Sequence, residues 1–396
     1  MQLSSLLQRF NEPETLKMAK LGRELRAKGI DVIDLSLGEP DFDTPEHIKQ
    51  AAIKAVQDNW SHYTPVPGYL DLREAVCAKL KRDNNLDYKP ENIVVSTGAK
   101  QSLANAILAL VDENDEVIIP TPYWVTYSEL VKIARGRVVE IKTNAESGFK
   151  ITPQQLEAAI TPHTNVFLFS SPCNPSGAVY SKSELELLVN VFRKYPNITI
   201  ISDEIYEYIN FKEGHESIAQ FEDIKDRVII VNGLSKGFAM TGWRVGYIAA
   251  DVAIAKACEK LQGQFTSGTC SIAQKAAVAA LTTDLRPSME MTEEFARRRK
   301  RVLELISDIP GIKCSEPDGA FYIFPDISYY YGKSDGQTTI HTSGDFCMYL
   351  LNTAHVSSVM GEAFGDPACV RFSFANSMEK IEEAWARIKK ALEKLK

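Results

Sequence analysis

Lys236 sits in the run Asn232-Gly233-Leu234-Ser235-Lys236-Gly237-Phe238-Ala239-Met240-Thr241-Gly242-Trp243-Arg244-Val245-Gly246, directly after the apolar stretch Val228–Val231. An amine held among apolar and small residues is disfavoured as a cation, so its pKa falls. A lysine depressed in this way can attack a carbonyl and hold it as a Schiff base. Arg244 follows in the same run, and a planar guanidinium is suited to gripping a phosphate with two hydrogen bonds. Taken alone, a lysine at such a position is more often a surface residue, so the case rests on its company.

Three further segments carry polar residues where an apolar run ends. Val94-Val95-Ser96-Thr97-Gly98-Ala99-Lys100-Gln101 reads as a strand passing through a small-residue turn into a helix. Backbone N–H groups at a helix start can hold a phosphate, although many such turns contain glycine for steric reasons alone. Ser170-Ser171-Pro172-Cys173-Asn174-Pro175-Ser176-Gly177 is a rigid turn by its prolines and glycine. A turn does not account for Asn174, whose amide is able to donate to a ligand oxygen. In Ile200-Ile201-Ser202-Asp203-Glu204-Ile205-Tyr206, Asp203 ends another strand. It reads either as a helix cap or as a carboxylate at the mouth of a site, able to keep a proton on a ring nitrogen.

Elements that could position these residues are visible in the hydrophobic pattern. Apolar runs at Ile93–Ser96, Glu116–Pro120, Arg137–Ile141, Val166–Ser170, Ile198–Ser202, Val228–Asn232 and Gly246–Ala250 are interspersed with helical patterns such as Lys100–Val111 and Ser183–Lys194. Buried β-branched strands separated by helices predict an α/β domain with a mostly parallel sheet. In such open sheets ligands bind at the carboxyl ends of the strands, where all four segments fall. Both chain ends differ. Leu16–Lys28 reads as an amphipathic helix and Met289–Ile306 as a long charged one, followed by short strands at Ala320–Phe324 and Val370–Phe374. The expected organisation is a large domain over 46–285 and a smaller α+β domain built from 1–45 and 286–396. Thr44-Pro45-Glu46 reads as the first helix start of the large domain, with Thr44 as cap and Pro45 in first position.

Bulk properties narrow the function classes. The 396 residues are 44% hydrophobic and 24% charged, the balance of a soluble globular protein with a sizeable core. Net charge is −7 with both signs interspersed and no basic stripe, which argues against nucleic acid as a partner. No stretch is apolar and long enough to span a membrane, and Met1–Phe10 does not read as a secretory signal. The seven cysteines (Cys77, Cys173, Cys258, Cys270, Cys314, Cys347 and Cys369) are odd in number, scattered and without a CxxC pair. Reduced thiols in a cytoplasmic protein are expected, with no disulfide framework and no metal site.

Taken together, the Ser-Lys-Gly…Gly-Trp-Arg…Gly stretch, in order after Asn-Pro…Gly and Asp-Glu-Ile-Tyr, resembles the fold-type I, class I/II aminotransferases over nearly the whole chain. The resemblance implies pyridoxal 5′-phosphate as cofactor, a seven-stranded sheet in the large domain, and Lys236 as the residue holding the cofactor as a Schiff base. It further implies that Asp203 pairs with the pyridine nitrogen and that Asn174 and Tyr206 bond the ring hydroxyl oxygen. Gly98, Ala99, Lys100, Ser235 and Arg244 would cradle the phosphate, and Trp124 would stack on the ring. Ser36-Leu37-Gly38-Glu39-Pro40-Asp41-Phe42 resembles the family's substrate-covering segment, in which Gly38 offers its backbone to the substrate carboxylate. Arg371, in Val370-Arg371-Phe372-Ser373-Phe374-Ala375, matches the arginine that clamps that carboxylate. Read without the family, it is an arginine on an edge strand. Tyr63 matches the tyrosine that reaches the phosphate of a neighbouring subunit, which implies a homodimer with shared sites; otherwise it is a turn tyrosine.

Within the family, the Pro-Tyr-Trp segment at 122–124, the Gly-Ala-Lys-Gln turn and the Phe-Ala-Met-Thr-Gly-Trp-Arg run most resemble bacterial aspartate aminotransferases of the 1-beta type. The expected reaction is transfer of an amino group from L-aspartate to 2-oxoglutarate. In that group Lys100 is a candidate partner for the substrate's distal carboxylate, its other reading being phosphate-loop structure. Members that use prephenate carry a basic residue a few positions before an N-terminal threonine. Aligning that threonine to Thr15 places Asn11 there, with Arg9 nearby. Alternatives are a prephenate or aromatic aminotransferase, a C–S β-lyase distinguished by release of pyruvate and ammonia, and a binding protein that keeps the fold. The last would need an added DNA-binding domain or a lost lysine, and the sequence has neither.

Overall fold

Seven strands, each apolar along most of its length, set the centre of the molecule. The computed structural model describes residues 3–396; residues 1 and 2, the start of the stretch read as no secretory signal, lie outside the described residues. The strands are Ile93–Ser96, Glu116–Pro120, Arg137–Ile141, Thr164–Ser170, Thr199–Asp203, Val228–Gly233 and Gly246–Ala249. Across the sheet they run 93–96, 246–249, 228–233, 199–203, 164–170, 116–120, 137–141. All neighbours pair in parallel except Gly246–Ala249, which is antiparallel to the strands on both sides of it. Val228–Gly233 therefore ends at the rim where Gly246–Ala249 begins, and the loop joining them starts and finishes at one edge of the sheet.

Successive side chains of a strand point to opposite faces, and both faces here are covered. Val95, Ile118, Phe167 and Ile230 pack with Leu72, Leu188, Phe192 and Ala276 on one face. Val94, Val117, Leu168 and Ile229 pack with Leu103, Ile107, Val131 and Cys258 on the other. Each fully buried side chain of this size contributes about 1.5–3 kcal/mol relative to exposure.

A separate core gathers Met18, Val32 and Leu35 from the beginning of the chain with Phe295, Phe321, Phe372 and Trp385 from its later part. Helices Glu14–Ala27, Arg286–Ser307 and Met378–Leu392 contribute to it. Strand Ile33–Asp34 pairs in parallel with Val356–Ser357. Val370–Ser373 lies between Val359–Met360 and Tyr322–Ile323, antiparallel to both. Arg371 is thus on a central strand, not an edge.

One local expectation fails. Helix Glu46–Gln57 starts with Pro45 at the cap position and no side-chain capping bond. Thr44 Oγ1 instead donates to the Ala239 carbonyl at 2.7 Å and accepts from Trp243 Nε1 at 2.9 Å. These tertiary bonds tie the helix start to the Lys236 loop and outcompete local capping. Among the described residues, no helix is long and apolar enough to cross a membrane.

Candidate active site

The carboxyl ends of the strands, the segment around Gly38 and strand Val370–Ser373 meet around a cavity of about 300 Å³. Gly38, Ala99, Lys100, Trp124, Asn174, Asp203, Tyr206, Ser235, Lys236, Arg244 and Arg371 all line it. Residues that expectation placed at four strand ends, together with Trp124 and two distant chain segments, therefore share one space.

Lys236 is the centre of that space. Burial pushes its amine down to about 8, and the charge of Arg371 adds to the effect. Its Nζ donates to the Gly38 carbonyl. An amine depressed this far is uncharged in a larger fraction than an ordinary lysine, and held by one hydrogen bond against an open cavity it is equipped for attack on a carbonyl and for moving a proton.

Asp203 closes strand Thr199–Asp203 and is buried. Burial raises its carboxyl to about 6 against the pull of the Tyr127 hydroxyl, which donates to Oδ2 at 2.6 Å. Oδ1 accepts from the Ile205 N–H at 3.2 Å, so the residue secures the local turn and also faces the cavity.

Gly98 precedes helix Ala99–Leu110 at φ 83, where L side chains are strained. A Cβ there would also lie 2.4 Å from Arg244 Nη2. The guanidinium consequently packs over the helix start, with Nη1 donating to the Thr241 carbonyl at 2.8 Å. Free N–H groups at a helix start, Arg244 and the buried Ser235 together make an anion cradle.

Arg371 is 1% exposed. Its Nη1 donates to Asn174 Oδ1 at 3.0 Å and its Nη2 to the Ser36 carbonyl at 2.6 Å. Nε is buried and has no hydrogen-bond partner among the described residues. The guanidinium lies 4.5 Å from the ring centre of Tyr322 and 5.0 Å from that of Phe364. Because Asn174 accepts with its oxygen, its amide nitrogen remains free to donate. Lys100 Nζ lies 5.0 Å from the Trp124 ring centre, its pKa lowered by burial and by Arg244.

Some residues lie elsewhere. Gly98 backs the cradle without lining the cavity, and Asn11 and Arg9 do not line it. The Asn11 N–H donates to Glu129 at 2.7 Å. Tyr63 is 98% exposed and away from this chain's own cavity. Conversely, Thr15, Glu39, Tyr127 and Tyr322 line the cavity without having been singled out as site residues.

Residues 30–388 match the family model for aminotransferase class I and II. The chain belongs to this family. An aspartate/prephenate aminotransferase of Nitrosomonas europaea is 45% identical over 392 residues, covering 98% of this chain and 99% of that one. A crystal structure of the aspartate aminotransferase from Rhizobium meliloti is 42% identical, with a TM-score of 0.97 and complete coverage of both chains. The Thermus thermophilus aspartate aminotransferase solved with maleate is 38% identical, with a TM-score of 0.93, covering 99% of this chain and 100% of that one.

Class I/II aminotransferases depend on pyridoxal 5′-phosphate. The residues present fit that group. A half-buried amine of depressed pKa meets an aldehyde, a buried carboxylate suits a pyridine nitrogen, and the crowded Gly98–Arg244 approach at a helix start suits a phosphate.

Proposed function

We propose that this aminotransferase interconverts L-aspartate and 2-oxoglutarate with oxaloacetate and L-glutamate at the Lys236 cavity. The observation that carries the proposal is that Lys100 joins Arg371 in one small cavity, beyond Lys236 and Arg244, which the cofactor would engage. A single guanidinium clamps the α-carboxylate of any amino acid. A second cation is needed to offset the cost of desolvating a side-chain carboxylate, so it selects dicarboxylic substrates. The Thermus neighbour, which holds the dicarboxylate maleate, supports this reading.

Pyridoxal phosphate, when bound, supplies an electron-withdrawing ring that makes the substrate Cα–H acidic. Lys236 would hold it covalently. As a free amine, Lys236 Nζ would take the proton from the substrate Cα and give one back as general base and acid. Asp203 would keep the ring nitrogen protonated, with the Tyr127 hydroxyl steadying the carboxylate. Asn174 and Tyr206 would donate to the ring hydroxyl oxygen, and Trp124 would lie on the ring face. Gly98, Ala99, Ser235 and Arg244 would hold the phosphate, with Lys100 either there or on the distal carboxylate. Arg371 and the Gly38 backbone would orient the substrate. Residues 46–285 would form the cofactor domain and 1–45 with 286–396 the substrate-covering domain, which the separate packing of the two cores supports.

Lys100→Ala separates the two uses of Lys100. A charge-assisted hydrogen bond contributes roughly 1.5–3 kcal/mol, so kcat/KM for aspartate should fall on the order of ten- to a hundredfold, with little loss for alanine or phenylalanine. A transamination screen with 2-oxoglutarate as acceptor gives the ratio. Equal losses would assign Lys100 to the phosphate. The same screen tests prephenate, a second reading supported by the name of the Nitrosomonas relative.

A homodimer in the cytoplasm completes the proposal. Tyr63 is nearly fully exposed while Trp60, Leu70 and Phe265 also show apolar surface. Shared sites would bring Tyr63 to the partner's phosphate. Mixing a Tyr63→Phe protein with a Lys236→Ala protein should then restore part of the activity that either lacks. A fully active monomer in sedimentation would rule this out.

A further inference from the structure

Three segments of the chain converge on the side chain of Tyr322, which has no part in the roles above. Tyr322 is fully buried on strand Tyr322–Ile323. Its hydroxyl lies 2.7 Å from that of Tyr206, which follows the central sheet. Its ring face carries the Arg371 guanidinium from the adjacent strand. Gly38 passes so close that a Cβ there would lie 2.8 Å from the Tyr322 hydroxyl oxygen.

We propose that Tyr322 is a positioning residue that joins the two halves of the site, donating its hydroxyl proton to Tyr206 and holding Arg371 on its ring. The first half rests on the reading that Tyr206 donates to the cofactor ring oxygen. Two touching hydroxyls own two protons and share one hydrogen bond, so one proton remains for the cavity. Tyr206 is the only hydrogen-bond partner of the Tyr322 hydroxyl among the described residues. With the Tyr322 proton committed to the Tyr206 oxygen, the Tyr206 proton is left to point outward. A hydroxyl that accepts one hydrogen bond donates the next more strongly. Burial raises the Tyr322 phenol, which keeps its proton in place. On the other side, a guanidinium seated over an aromatic ring is held in place while its outer nitrogens stay available to a carboxylate, and here the bonds to Asn174 and Ser36 fix its rotation.

The test uses holoenzyme with Tyr322→Phe, Tyr322→Leu and Tyr206→Phe. Two quantities are read: the pH midpoint of the bound cofactor's visible absorbance, and the dissociation constant for maleate, a non-reacting dicarboxylate. A weaker donor at the ring oxygen favours the protonated form, so Tyr322→Phe should raise the midpoint by roughly 0.4–1 pH unit, less than Tyr206→Phe does. It keeps the ring, so maleate affinity should stay within about twofold. Tyr322→Leu should weaken maleate binding by roughly three- to tenfold. An unmoved midpoint in Tyr322→Phe, with a shifted one in Tyr206→Phe, overturns the link to Tyr206. An unmoved midpoint in Tyr206→Phe overturns the reading of Tyr206 itself. Unchanged maleate affinity in Tyr322→Leu overturns the support of Arg371.

Discussion

Lys236→Ala protein should bind pyridoxal phosphate without a covalent bond and lose activity by on the order of a thousandfold or more. Removing the amine takes away both the attachment point and the group that moves the proton, and positioned acid–base catalysis alone accounts for about a hundred- to ten-thousandfold. Borohydride reduction of wild-type holoenzyme followed by peptide mapping should find the cofactor on the peptide containing Lys236. An adduct on another lysine would refute the assignment. The depressed amine adds a pH signature. Only the uncharged form attacks an aldehyde, and the amine titrates at about 8. The rate of cofactor attachment to the cofactor-free protein should therefore climb as pH rises through about 8 and then level.

The second large effect is at Asp203. An amide has nearly the same shape and cannot hold the ring-nitrogen proton comparably, so Asp203→Asn should still bind the cofactor and lose about a hundredfold or more in kcat. Its carboxyl, raised by burial to about 6, becomes protonated and uncharged below that pH in the cofactor-free protein. Affinity for the cofactor should therefore fall as pH drops through about 6 in wild type, whereas the Asn variant should lack this step. Near wild-type turnover in the variant, measured with saturating cofactor, would remove Asp203 from the mechanism.

What was legible in the sequence follows from what is local. A strand covered on both faces must be apolar along its length, which marks six of the central strands, while the edge strand Arg137–Ile141 shows through Val138 and Val139 between exposed Arg137 and Glu140; all seven fall within two residues of their observed ends. Lys236, Asp203 and Asn174 were visible because each is a polar residue at the end of such a strand or in the turn after it. Tyr127 and Tyr322 act through contacts with residues 76 and 116 positions away, and no local pattern marks such a meeting. Thr44 failed for the opposite reason. Its local pattern was favourable for capping, and bonds to Ala239 and Trp243 used the hydroxyl instead. In the second core, Ala320–Phe324 shrinks to the strand Tyr322–Ile323 because a short strand in a small sheet has few neighbours to extend it.

The bond between Arg371 and the Ser36 carbonyl joins positions 335 apart, and strand Ile33–Asp34 waits on Val356–Ser357. Ribosomes add about 5–20 residues per second, so the early partner emerges on the order of tens of seconds before the late one. The central sheet needs nothing beyond Ala249, and its strands are available much sooner. A growing chain can thus shape the cofactor cradle while the arginine that grips the amino acid is still unsynthesised. Through that interval Ile33 and Leu35, fully covered in the finished protein, have no native partner strand to cover them. The enzyme's most exposed moment falls during its own synthesis, and substitutions that slow closure of the second core would be felt first as aggregation of nascent chains.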